Sequence, residues 1–195
     1  MNPVAAVTAA CLLALTLVHT CRNEATQPIP RRYAYPRIDT YPANYHAVAG
    51  VATRLCVNDS ARITTSRTDS GNTWIDVAYP RYNAIIRYTL VTTADSAKLA
   101  GVIANRVERI DIDTAGHNPK VITSASTVDS DIITSVILTP EVAVTPIHIL
   151  ATDSSTFLLS GVVEMSEETD AEERQPIVDA LTEDILYTAT HLTPL

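Results

Sequence analysis

The stretch that decides the fold runs Thr73-Trp74-Ile75-Asp76-Val77-Ala78-Tyr79, then Pro80-Arg81, then Tyr82-Asn83-Ala84-Ile85-Ile86-Arg87-Tyr88-Thr89-Leu90. Ile75, Val77 and Tyr79 share one side of an extended chain, and Trp74, Asp76 and Ala78 share the other. After the proline, Tyr82, Ala84, Ile86, Tyr88 and Leu90 again fall on one side. Successive side chains of a strand point to opposite faces, so this period of two predicts a hairpin with an aromatic and aliphatic buried face.

Working outward toward the C-terminus, the period changes. Thr92-Thr93-Ala94-Asp95 fits a capping box, and Leu99, Val102, Ile103, Val107 and Ile110 follow at helical spacing, predicting a helix over 95–110. Strand character returns at 120–126 and 131–139, then as a hairpin: Val144 to Ala151, a turn at Asp153-Ser154-Ser155, and Thr156 to Met165. Thr169-Asp170-Ala171-Glu172 reads as a second capping box. Ile177, Val178, Leu181, Ile185 and Ala189 then predict a helix over 174–190, with Pro176 tolerable only in its first turn. Toward the N-terminus, 51–57 and 60–66 read as strands parted by Asn58-Asp59. Hairpins without βαβ crossovers predict an α+β fold, a mainly antiparallel sheet covered by two principal helices.

The N-terminus stands apart from this core. Val4 to Val18 is one apolar run of 15 residues, at most about 22 Å as a helix, whereas a bilayer core of about 30 Å asks for about 20 residues. That length suits the hydrophobic region of a signal peptide. Leu17-Val18-His19-Thr20-Cys21 then resembles a lipobox, in which the cysteine is lipidated and becomes the first residue after cleavage. Two acyl chains give stable membrane attachment where one is marginal. The expected organisation is a lipoprotein signal peptide over 1–20, a lipidated tether over 21–30 and a single α+β domain over 31–195. Of the three cysteines, Cys11 falls in the leader, Cys21 is the attachment site, and Cys56 is left as a core thiol.

Charge narrows the function. The 195 residues carry 14 Lys+Arg against 22 Asp+Glu, a net charge of −8, and the lysines number two, Lys98 and Lys120. Phosphate neutralisation needs a basic surface, so nucleic acid is not an expected partner. No HExxH, GxSxG, CxxC or Walker loop occurs, so no catalytic site is assigned. The histidines His19, His46, His117, His148 and His191 are isolated and read as surface or hydrogen-bonded residues rather than metal ligands. No metal or cofactor is expected. The acidic run from Glu164 to Glu173 reads as a solvated loop before a helix.

One segment suits a binding role: Arg31-Arg32-Tyr33-Ala34-Tyr35-Pro36-Arg37-Ile38-Asp39-Thr40-Tyr41-Pro42. Four of the eight tyrosines lie between Tyr33 and Tyr45. Tyrosine and arginine offer large contact area together with hydrogen bonds, as interfaces require. Arg31, Tyr33, Tyr35, Arg37 and Asp39 are therefore the candidate partner-binding residues. The competing reading has the tyrosines packing over one edge of the sheet.

Several stretches together resemble the gliding motility lipoprotein GldD family of the Bacteroidota. Its opening, Pro-Arg-x-Tyr-x-Tyr/Phe-x-Arg-Ile-Asp, stands at Pro30 to Asp39, and its tyrosine-rich strand junction at Ala78-Tyr79-Pro80-Arg81-Tyr82. Its Thr-Asp-Ser hairpin stands at Thr152-Asp153-Ser154 with Phe157 to Gly161, although Leu159-Ser160 occupies the place of the family's arginine. Its closing helix matches Glu183-Asp184-Ile185-Leu186. The resemblance implies an envelope lipoprotein rather than an enzyme of known activity. With Cys21 as its anchor and Glu24 the one acid soon after it, the domain is expected to face the periplasm, from the inner or outer membrane. It also implies that its partners are envelope proteins of the gliding or type IX secretion machinery. The rival is a periplasmic ligand-binding module or diverged hydrolase. It predicts Asp76, His148 and Glu164 gathered in one pocket, where a flat Tyr/Arg face would favour the interaction protein.

Overall fold

A computed structural model describes residues 38–69, 71–129 and 131–194. Its centre is the predicted hairpin, β5 (Thr73–Tyr79) and β6 (Ala84–Thr92), joined by a single 3-10 turn at Pro80–Tyr82. Asn83 ends that turn with φ 47°, a left-handed conformation that asparagine adopts more readily than most residues.

Edge strand β4 (Arg62–Arg67) pairs with β5 to make a meander. Helix α1 (Ser96–Asp113) then carries the chain across to the far edge, where β7 (Lys120–Ala125), β8 (Ile133–Leu138), β9 (Ile147–Thr152) and β10 (Phe157–Met165) run back as a second meander. The last of these, β10, pairs with β6 along its whole length, from Phe157 opposite Thr92 to Met165 opposite Ala84. The result is one seven-stranded antiparallel sheet in the order β4-β5-β6-β10-β9-β8-β7. Helix α2 (Ala171–Thr190) follows, and the α+β architecture is as the sequence predicts.

The two helices lie on opposite faces. One face carries Ile75, Val77, Tyr79, Ile86, Tyr88, Leu90, Ile149 and Val163, and packs with Ile177, Val178, Leu181 and Ile185 of α2 in the main core. The other face carries Val91 and Leu158, which enclose Leu99 of α1 with Val102, Ile103 and Leu150 around them. Complete burial of Leu99 is worth about 2 kcal/mol. It pins only the N-terminal half of α1.

Three details differ from expectation. The stretch 51–57 breaks around fully buried Leu55 into β2 (Thr53–Arg54) and β3 (Cys56–Asn58). These join small sheets outside the main one, β2 with β11 (Thr193–Pro194) and β3 with β1 (Tyr45–Ala47). The thiol of Cys56 is free and buried, as predicted.

Neither capping box forms. Because β6 runs on through Thr92, Asp95 itself caps α1, its carboxylate accepting from the Lys98 N–H at 3.0 Å. Asp170 occupies the N-cap of α2 without a side-chain hydrogen bond. Both helices also overrun their predicted bounds. Thr114 closes α1 three residues late, its N–H and hydroxyl both donating to the Ile110 carbonyl. Helix α2 begins at Ala171, so Pro176 sits in its second turn and leaves the Glu172 carbonyl without its helical donor. Glu172 and Glu173 in the first turn complement the helix dipole and offset part of that loss.

Candidate functional site

Of the candidate partner-binding residues, Asp39 is described and exposed; Arg31, Tyr33, Tyr35 and Arg37, like Cys21, lie outside the described residues. Flanking Asp39, the chain is firmly attached. Ile38 and Tyr41 pack against the main core. The Tyr41 ring meets Tyr82 edge-on at 4.9 Å and Tyr79 at 5.8 Å, with the Arg81 guanidinium 4.6 Å above it. Backbone hydrogen bonds fix it: the Tyr41 N–H donates to the Tyr82 hydroxyl at 3.1 Å, and the Arg81 N–H to the Tyr41 hydroxyl at 2.9 Å. Tyr45 stacks on Tyr187 of α2 at 3.7 Å and donates to the Asp184 carboxylate at 2.6 Å. Burial, reinforced by Asp184, raises the phenols of Tyr45 and Tyr79 well above the ordinary tyrosine value. Tyr41 and Tyr45 thus conform to the packing alternative.

The second arrangement lies on the α1 face of the sheet. Strand register lines up two rows there. One runs Ser66, Trp74, Thr89, Ser160; the other runs Thr64, Asp76, Arg87, Val162, His148. Arg87 joins two carboxylates, its Nε donating to Glu164 at 2.7 Å and an Nη to Asp76 at 3.3 Å. The Glu164 hydrogen bond, and then its charge, hold Arg87 above its ordinary value. All three side chains stay partly open to solvent, so this is a positioned charge cluster rather than a stability element.

Beyond them, the C-terminal half of α1 stands off the sheet and leaves a cleft of about 320 Å³, lined by His148, Glu164, Arg87, Arg106, Arg109 and Asp113 among others. A second cavity of about 230 Å³, beside Trp74 and Asp76, shares Arg87 and Thr89 with it. Of the trio named by the rival reading, His148 and Glu164 therefore share one cleft and Asp76 lies in the adjoining one, so the three are not gathered in a single pocket. The two clefts, side by side on the sheet face with Arg87 and Thr89 at their border, make up a trough.

His148 corrects the expectation for the histidines. It is neither surface nor hydrogen-bonded, being 4% exposed with its Nε2 buried and unpartnered. Burial lowers its pKa below the ordinary histidine value, while Asp113 pulls the other way. His46 and His191 are partnered, by Asp59 at 2.8 Å and by the Tyr187 carbonyl at 2.8 Å. The acidic run is divided as well. Glu164 belongs to β10 and to the trough, whereas Glu172 and Glu173 belong to α2.

The trough offers guanidinium donors, carboxylate acceptors, hydroxyls and one exposed indole. Among the described residues no group of His, Cys, Asp and Glu has the arrangement of a metal site, and no helix is long and apolar enough to cross a membrane. Arg87, Arg106, Arg109 and Trp74 escaped the sequence reading. The signals were slight: Trp74, Asp76, Arg87 and Thr89 fall on the side of β5 and β6 opposite the core, and Arg106 and Arg109 on the polar side of α1, as ordinary solvated faces also show.

Comparison with known proteins adds one match. The family model described as gliding motility lipoprotein GldD matches residues 25–190. No curated protein and no solved structure matches the chain.

Proposed function

This chain belongs to the gliding motility lipoprotein GldD family, and on that premise we propose that it is a non-enzymatic accessory component of the gliding or type IX secretion machinery. A lipoprotein of this family is a membrane-anchored protein of the cell envelope. The family is described by its role in motility and not by a reaction. In our reading Cys21 carries the lipid, residues 21–30 are the tether, and 31–195 form one α+β domain facing the periplasm.

The observation that carries this reading is the extent of the match, which runs from the tether through the end of α2. Physical support comes from the attachment of Ile38, Tyr41 and Tyr45. They fix the point at which the Arg31–Arg37 segment joins the fold, with Asp39 exposed beside it.

Crosslinking and pull-down from membranes tests the proposal, with wild type compared against Arg31→Ala/Arg37→Ala. Loss of one or a few envelope proteins from the captured set is expected; an unchanged set overturns the role of this segment. Cys21→Ser tests the anchor separately. The variant is expected in the soluble periplasmic fraction, and its retention in membranes refutes lipidation at Cys21.

A second reading, the ligand-binding module, is favoured by one observation: Glu164 and His148 line one cleft, and Arg87 bridges from Glu164 to Asp76 in the adjoining one. It is compatible with the first, since the trough lies on the α1 face and Tyr41 and Tyr45 pack elsewhere.

A further inference from the structure

Trp74 is the chain's single tryptophan, and it is 54% exposed. A large aromatic left open to water is informative, because burial of such a ring is the ordinary outcome. Its surroundings do not resemble the centre of a protein interface, which is depleted of charge. Its cross-strand neighbours are Ser66 and Thr89, and the next row along holds Asp76 and Arg87. Flat apolar surface ringed by hydroxyls and planar charged groups matches a ligand with the complementary character: a C–H face to lie on the indole and a rim of hydroxyls to exchange hydrogen bonds. A pyranose ring has that character.

The trough extends well beyond one ring. From β5 through β6 and β10 to β9 there are three interstrand spacings of about 4.8 Å, and His148 lies two residues further along, so Trp74 and His148 are about 16 Å apart on the sheet. At the far end Arg106 and Arg109 rise from α1, and among the described residues neither has an ion-pair partner. The buried Nε2 of His148 beneath this end lacks a hydrogen-bond partner, a costly exception in a folded core. Unpaired arginines call for an anion. Asp76, Asp113 and Glu164 in the same trough repel a dense polyanion such as a nucleoside polyphosphate, and favour a ligand with isolated single charges among many hydroxyls.

We propose that the trough from Trp74 to the Arg106/Arg109 flank of α1 binds an acidic oligosaccharide, one ring stacking on the indole and a carboxylate meeting the two arginines. Arg87, already oriented by Glu164 and Asp76, presents its remaining donors between those two ends, so three groups read the sugar at intervals. This inference rests on the geometry of the sheet face and not on the motility reading. Either can fail without the other.

Because the chain has one tryptophan, its fluorescence reports on this site alone. The full chain, in a detergent without a sugar headgroup, is titrated with trigalacturonate, maltotriose and inorganic phosphate. A saturable emission change at sub-millimolar trigalacturonate is expected, with maltotriose weaker. Arg106→Ala/Arg109→Ala should weaken trigalacturonate at least about tenfold and leave maltotriose unchanged. Calorimetry on Trp74→Ala, whose side chain is mostly exposed, should show a loss for both sugars. Circular dichroism checks that each variant is folded. No saturable binding of either sugar overturns the proposal, as does equal binding of phosphate, which would mark a simple anion site. Undiminished sugar binding by Trp74→Ala, or arginine variants that treat the two sugars alike, also overturns it.

Discussion

The phenol of Tyr45 donates to the carboxylate of Asp184 at 2.6 Å across 139 positions of sequence, and the same ring lies flat on Tyr187 one turn further along α2. Asn58 approaches the same carboxylate oxygen at 3.5 Å, so one half-buried acid holds β1 and β3 against the helix. The contact ties the start of the described chain to its last helix.

Tyr45→Phe keeps the stack and removes the hydrogen bond. A bond to a charged acceptor is worth about 1.5–3 kcal/mol, reduced here because water reaches a half-buried carboxylate. A loss of about 1 kcal/mol, or a few degrees in thermal unfolding of the full chain, is expected. Tyr45→Ala should cost more, since the stack goes too. Equal losses in the two variants would mean that the hydrogen bond contributes everything.

Gly161→Ala tests the close approach of the Tyr88 ring to the β10 backbone. A Cβ at that position would lie 2.6 Å and 2.9 Å from two ring carbons of Tyr88 and 3.3 Å from Ile149 Cδ1. Tyr88 is 3% exposed and has little room to yield, so denaturant unfolding should show a loss of about 1–3 kcal/mol. Combining it with Tyr88→Leu should cost less than the sum of the two, because the atoms that collide are then absent.

Asp153 shapes the β9–β10 turn. One carboxylate oxygen accepts from the backbone N–H groups of Ser155, Thr156 and Phe157 at 2.8–2.9 Å, and the other from the Thr156 hydroxyl at 2.6 Å. Burial pushes its pKa up, but these four donors outweigh it and hold the group well below the ordinary aspartate value. A folded-state pKa below the unfolded one gives stability that is present above about pH 4 and lost as pH falls toward the folded value. Asp153→Asn should therefore be less stable than wild type at neutral pH, with the gap in melting temperature closing below about pH 4. A gap independent of pH refutes the charge's role.

His148 carries the opposite charge type with the same sign of pH dependence. Its folded pKa is lowered by burial, so the unfolded chain takes up a proton first as pH drops through about 6.5. Arg106 and Arg109 across the cleft oppose protonation, and Asp113 and Glu164 favour it. Stability should fall between about pH 7 and pH 5 in wild type and fall less in His148→Leu. Parallel profiles would show that His148 does not titrate with unfolding.

The alternation of residues 73–90 carried most of the fold, because period-two burial is a local property and Tyr79, Ile86 and Tyr88 are indeed inside. The N-caps misled because Thr92 and Thr169 have the right chemistry but the wrong backbone: one is still strand, and the other precedes the cap. Strand order was not legible at all. Nothing in Phe157–Met165 says that it pairs with β6 as well as β9. Every property of the trough hangs on that pairing, which sets Arg87 beside Glu164 across 77 positions. His148 stands between Ile147 and Ile149, so its side of the strand was predictable. That it would be buried there without a hydrogen-bond partner was not.

The place of β10 has a consequence for how the chain comes into being. It is the last strand of the large sheet to be synthesised, yet it stands fourth of seven. Until Met165 is available, β6 and β9 each lack a neighbour and Tyr88 lacks the glycine it rests on. Long-range pairing of this kind is slow and comes late. A chain emerging with its N-terminus first can pair each meander locally, but cannot join the two into one sheet until nearly all of it has been made. The keystone arrives when the arch is already otherwise built.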